Sequence, residues 1–144
     1  YIDIIIPSVL DPDMAPPGKH VMSCFVQYAP YNINGGWNDD KREDFGDAVI
    51  NALAQYAPNI KDIILHRQIL TPADLESTFG LSEGNIFHGE LSLQQLFFMR
   101  PAVKWADYRT PIRNYFQCGS GTHPGGGITG SPGEMAAKKI LREW

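Results

Sequence analysis

The chain has 144 residues, with 12 basic and 16 acidic side chains, 43% apolar residues, 14 glycines, 11 prolines and two cysteines. That size fits one globular unit, which typically takes about 100 to 200 residues, and a net charge of −4 supplies no basic field for a phosphate backbone, which argues against nucleic acid. No apolar run approaches the roughly 18 residues that a membrane span needs, and Cys24 and Cys118 have neither metal-ligand spacing nor a disulfide pattern, so no metal site is expected and a reducing, cytoplasmic compartment is.

The chain opens on Tyr1-Ile2-Asp3-Ile4 without an initiator methionine or a signal region, which reads as a piece of a longer polypeptide. Ile2, Ile4 and Ile6 alternate as a strand that Pro7 stops, and Asp11-Pro12 with Ala15-Pro16-Pro17-Gly18 makes a stiff loop. A second strand is expected over His20–Tyr28, with both faces at least half covered. Asn38 or Asp39 as N-cap, acids in the first turn, and Phe45, Val49, Leu53 and Tyr56 at helical spacing predict an amphipathic helix lying on the sheet until Pro58. The segment Ile60–Leu70 reads as a returning strand. Thr71-Pro72-Ala73-Asp74 is a compact helix start, with a hydroxyl cap and proline at the first helical position, and predicts a short helix to about Phe79.

The pattern then weakens. Gly84-Asn85-Ile86-Phe87-His88-Gly89-Glu90 has the glycine bracketing of a tight loop, Leu91–Met99 reads as a short helix, and Tyr115–Cys118 as a short buried strand. Seven of the 14 glycines fall between Gly119 and Gly133, and a terminal helix is expected from about Gly130 to Glu143, with Lys138, Lys139 and Arg142 at its negative end.

That strand, glycine loop and helix N-terminus form a backbone-exposing cradle of the kind that meets an anion or an electron-rich ligand. It is not a Walker A loop, because Gly121–Gly127 is followed by Ile128-Thr129 rather than Lys-Ser/Thr, and Pro124 breaks the dinucleotide fingerprint that Gly119-Ser120-Gly121 begins.

Cys118-Gly119-Ser120-Gly121-Thr122-His123-Pro124-Gly125-Gly126-Gly127, preceded by Gly84–Glu90 and by Gln95-Leu96-Phe97-Phe98-Met99-Arg100-Pro101, closely resembles the C-terminal part of phytoene desaturase-like FAD-dependent oxidoreductases. The resemblance is nearest to the pyridine nucleotide-disulfide oxidoreductase domain-containing protein 2 group. Ile6-Pro7-Ser8, Asp11-Pro12, Ala15–Gly18 and Phe25–Pro30 extend it over almost the whole chain.

The element pattern reads as an α+β fold, an antiparallel sheet from the first 70 residues with helices on one face, then a loop-rich return and a C-terminal helix. The resemblance implies that residues 1–113 are the substrate-domain part and return segment, and that the strand, glycine loop and helix of 114–144 close an FAD-binding domain. It implies FAD contacts from Gly119, Ser120, Gly121, Thr122, His123, Pro124, Gly125, Gly126, Gly127, Ile128, Thr129 and Gly130, with amides around Ile128–Gly130 turned toward the flavin N1/C2 edge. There the positive end of a helix favours the negative charge of reduced flavin. It also implies hydride transfer between an organic, apolar substrate, at a C–C bond, and the flavin. The N-terminal dinucleotide-binding half, with its G-x-G-x-x-G and ribose-binding acid, has no counterpart in residues 1–114, so the missing half would be this chain's partner, and the chain alone is expected to hold FAD weakly or not at all and to be inactive.

Several residues carry two readings. His88 and His123 are the candidate catalytic groups, each balanced against a structural hydrogen bond in its loop. Arg100 and Arg113 pair with core carboxylates or anchor the cofactor, Cys118 is a small core residue rather than a redox thiol, and Phe97, Phe98 and Met99 line an apolar channel or pack a core. His20 and His66 are ordinary strand residues. Self-association through a face left by the missing half is a further expectation. The rival to the enzyme reading is a binding module whose glycine loop holds a small anion without chemistry.

Overall fold

Alternating isoleucines followed by proline produce the first element as expected: β1 (Ile2–Ile5) pairs antiparallel with β2 (Ser23–Val26), Ile4 opposite Cys24. The computed structural model describes residues 1–143. The link between the strands is two 3-10 turns, Pro7–Val9 and Pro12–Met14, each begun by the proline that ends the preceding run. Ser8 is buried there, and its hydroxyl accepts from the Val21 amide at 3.0 Å while lying 3.2 Å from His20 Nδ1, which ties the turn to the approach of β2. Covering of both β2 faces is not observed: Cys24 and Val26 are half-buried, whereas Ser23 and Phe25 are exposed.

Helix α1 (Asp39–Ala54) begins where the cap signal puts it. The Asn38 side chain accepts from the Lys41 amide at 2.9 Å, and Asp39 and Asp40 sit at the positive end of the helix. The predicted strand Ile60–Leu70 is a correction. Ile60–Ile63 forms the single turn α2, and residues 64–70 run extended outside any sheet. Two contacts hold that extended stretch along α1 instead of in a ladder: Arg67 pairs with both Glu43 and Asp47, and Ile69 lies against Gly46, where an added Cβ would come within 2.3 Å of Ile69 Cδ1. Helix α1 accordingly packs on α2, and the described sheet has two strands.

The chain divides into two compact units, Tyr1–Thr71 and the remainder from Pro72. The second unit starts with α3 (Pro72–Phe79), whose bounds match the Thr71-Pro72 signal, and α3 packs on a 3-10 turn at Ser82–Gly84. Glu76 fastens the two by accepting from the Glu83 amide at 2.9 Å. Residues Leu91–Met99 are not the expected short helix. They make two 3-10 turns, Leu93–Gln95 and Phe97–Met99, interrupted by extended Leu96 and by Phe97 at φ 51. The Tyr115–Cys118 strand is reduced to one antiparallel bridge, Phe116 to Arg109, with Tyr115 and Cys118 exposed, so Cys118 is not a core residue. The terminal helix α4 (Ser131–Leu141) follows the glycine cluster.

Among the described residues few apolar side chains are buried, Leu53, Tyr108 and Ala136 with Pro72 and Pro132. The chain exposes 10764 Å² at a mass of 16.0 kDa. Area scaling gives roughly 7,400 Å² for one compact body of that mass and about 8,900 Å² for two bodies of half the mass. The excess lies in side chains such as Leu10, Tyr28, Tyr56 and Ile128, a surface composition typical of faces that another part of a protein covers. None of the described helices is long and apolar enough to cross a membrane.

Candidate functional site

Within the second unit the three motifs singled out by the sequence meet at one side chain. Arg100 is 1% exposed, and all of its hydrogen bonds run to main-chain carbonyls. Its Nη2 donates to Phe87 O at 2.6 Å and Ser120 O at 2.8 Å, its Nη1 to Glu90 O at 3.0 Å, and its Nε to Ser120 O at 3.3 Å. The planar fork thus ties the Gly84–Glu90 loop to the start of the glycine-rich loop, a task that five rigid donors suit and a single ammonium does not. Of the two readings for Arg100, pairing with a carboxylate is not seen among the described residues. Arg113 is exposed.

Tyr108 is the second anchor, and nothing in its sequence neighbourhood marks it. It is 6% exposed; its hydroxyl donates to His123 O at 3.0 Å and lies 3.1 Å from Met135 Sδ on α4, while its own carbonyl accepts from the Gln117 amide at 2.8 Å. Burial pushes the Tyr108 phenol above its usual pKa. Next to it, partial burial works against ionisation of Asp107, but hydrogen bonds from Arg109 and Lys139 prevail and hold its carboxyl below the ordinary range, with Glu143 completing a charged square that pins the end of α4. Replacing Tyr108 with phenylalanine should therefore leave the ring packed and the His123 carbonyl without its donor, lowering stability by about 1 kcal/mol, checked by the midpoint of urea unfolding.

The glycine-rich loop hangs between these anchors. Thr122 is buried and turns back on Gly119, its amide and hydroxyl both bonding Gly119 O at 3.0 and 2.7 Å, and Gly125 N closes on Thr122 O at 2.7 Å. Beyond that point the backbone opens. Gly125, Gly127 and Gly130 have φ of 106, 128 and 70, and among the described residues the amides of 126–130 donate no hydrogen bond to the chain. Ile128 takes φ 58 with its side chain fully exposed, a conformation that costs a β-branched residue roughly 1–3 kcal/mol. At α4 the Ser131 amide is taken by Thr129 Oγ1 at 3.2 Å and Pro132 has none, so the exposed donors lie in the loop more than in the first helical turn.

His123 sits at the inner end of this open stretch, 6.1 Å between ring centroids from Phe97, and its Nδ1 is buried without a hydrogen-bond partner. Buried imidazole nitrogens are normally satisfied, so this atom fits a site completed by another group. His88 lies apart, exposed at φ 58 beside an open depression lined by Ser82, Glu83, Gly89, Glu90 and Gln95. Phe97 and Phe98 are two-thirds exposed, so they are surface rather than core in this chain. The structure thus brings Gly119–Gly130, Arg100, Tyr108 and Phe97 together and leaves His20, His66 and Cys118 outside.

The sequence of the chain is similar to those of proteins named as oxidoreductases. The chain is 33% identical over 91% of its length to a phytoene desaturase (lycopene-forming) of Paracoccus, and 34% identical over 93% of its length to a limonene dehydrogenase chain of Castellaniella defragrans. These matches cover 26% and 25% of those proteins, which are oxidoreductases by name. The chain is also 49% identical, over 99% of its own length, to the mouse and rat proteins named pyridine nucleotide-disulfide oxidoreductase domain-containing protein 2. It spans about a quarter of the length of these relatives. No family model matches the chain, and no solved structure matches it.

Proposed function

We propose that the chain is the C-terminal part of an FAD-dependent oxidoreductase, with residues 114–144 closing the cofactor domain and residues 1–113 belonging to the substrate side. The observation that carries this reading is the run of unpaired amides at 126–130 beside the unpartnered His123 Nδ1, in a chain whose relatives are dehydrogenases and desaturases by name. A flat ring edge-on to that run would give the amides acceptors and use the close backbone approach that glycine permits.

When bound, the flavin supplies a hydride acceptor for the C–H bond of an organic substrate. The chain's own part is to hold and bias it. Gly119, Ser120, Gly121 and Thr122 form the inner turn, Pro124 and Gly125–Gly127 the platform, and Ile128–Gly130 the stretch nearest the positive end of α4, which favours negative charge beside it. His123 offers its imidazole nitrogen to a ligand atom, and Phe97 and Phe98 present an apolar surface that suits an apolar substrate. His88, on the Gly84–Glu90 loop, is the second group able to move a proton on the substrate side.

The test is spectroscopic. The longer natural polypeptide, purified without added cofactor, should be yellow with a flavin band near about 450 nm, because the redox chemistry resides in the prosthetic group. A colourless polypeptide that takes up no added FAD would overturn the reading in favour of an anion-binding module.

A further inference from the structure

The buried guanidinium of Arg100 does more than fill space. Its four hydrogen bonds satisfy four of its five N–H groups, and every acceptor is a neutral carbonyl. A full positive charge is therefore enclosed with only dipoles around it, an arrangement that is costly unless it is used. It stands close to the loop: a Cβ placed on Gly125 would lie 3.7 Å from Arg100 Nε and 3.6 Å from Leu91 Cδ1.

We propose that Arg100 is the positioning residue of the glycine-rich loop, and that its unmatched charge makes this loop favour a ligand that becomes anionic on reduction. The proposal rests on the flavin reading for its second half alone. The clasp explains how residues 126–130 keep their amides unpaired without collapsing: Ser120 O is held by two donors of the fork, which fixes the inner turn and leaves the outer stretch spanning from Gly125 to α4. The charge lies beside Gly125, so it favours reduced over oxidised ligand held along the loop.

Two variants of the longer natural polypeptide separate these roles: Arg100→Lys keeps the charge and loses the fork, and Arg100→Met loses both. Thermolysin, which cuts before large apolar residues, reports the clasp at the Gly127–Ile128 bond without any cofactor. Both variants should be cut there at least tenfold faster, with far-UV circular dichroism unchanged. Both should also hold flavin at least tenfold more weakly. With flavin saturating, the midpoint potential should fall only in Arg100→Met, by about 30 mV for a tenfold change in the ratio of reduced to oxidised binding.

Wild-type cutting rates in both variants would overturn the clasp, and equal potentials in the two variants would overturn the charge effect. If Arg100→Met fails to fold, Arg100→Lys still decides the clasp by its cutting rate, and Arg100→Gln takes the place of Arg100→Met in the comparison of potentials. A wild-type polypeptide without flavin, whose loop is nonetheless released by either substitution, would defeat the flavin reading while upholding the clasp.

Discussion

Alanine at Gly84 is expected to destabilise severely the unit that begins at Pro72. The added Cβ would lie 2.4 Å from Pro72 O and 2.6 Å from Pro72 Cα, and main chain at the start of a helix cannot step aside as a side-chain tip can. The backbone at Gly84 also has φ 67, where an L side chain costs about 1–2 kcal/mol before any clash. Adding the roughly 1–3 kcal/mol of overpacking gives a loss of about 2–5 kcal/mol, large against the ~5–15 kcal/mol that holds a typical domain. Gly80 supplies the control, because it has φ 68 with nothing within 4 Å of the position of a Cβ. Gly80→Ala should lose only the backbone part, about 1–2 kcal/mol. Urea midpoints for the two variants measure the difference, and equal losses would show that the packing of α3 on the 82–84 turn is not the constraint.

That contact also marks the boundary between what the sequence discloses and what it hides. The caps are legible because they are local: Asn38 bonds an amide three residues on, and Thr71-Pro72 sets the first turn of α3 by its own geometry. The glycine loop is legible because its composition is itself the signal. The segment Ile60–Leu70 misleads because its isoleucines fit a strand or one helical turn equally well, and the choice is made by Arg67 reaching acids 20 and 24 residues away. Tyr115–Cys118 misleads because apolar character does not mean core in a chain with a large exposed apolar surface.

Arg100 and Tyr108 show a different kind of opacity. A buried arginine invites a search for carboxylates, and the sequence has 16 acids to choose from, but the partners are carbonyls of Phe87, Glu90 and Ser120, which every residue type carries. Tyr108 likewise bonds the carbonyl of His123. Main-chain acceptors leave no trace in composition, so the two side chains that shape the site are visible only in the folded chain.

Valine at Gly121 should remove bound flavin while leaving the fold intact, the largest functional effect expected of any single change in the loop. Gly121 has no backbone need for glycine: its φ lies outside the left-handed region, and a Cβ there would meet nothing within 4 Å. Its substitution therefore belongs among surface changes, within about 0.5 kcal/mol in stability. Gly125 is the opposite case, since φ 106 and the proximity of Leu91 and Arg100 make glycine necessary to the chain itself. Gly126 falls between them, with Ser120 Cβ 3.6 Å from its added Cβ, so valine there presses on the turn that Arg100 holds. If the open side of residues 119–130 is built for close approach of a ring and its diphosphate tail, a branched side chain at 121 stands in that path, and flavin per polypeptide should fall at least tenfold with the urea midpoint unchanged. Full flavin occupancy in Gly121→Val would mean that the ligand, if any, approaches from elsewhere, and that glycine at this position answers to neither the fold nor the cofactor.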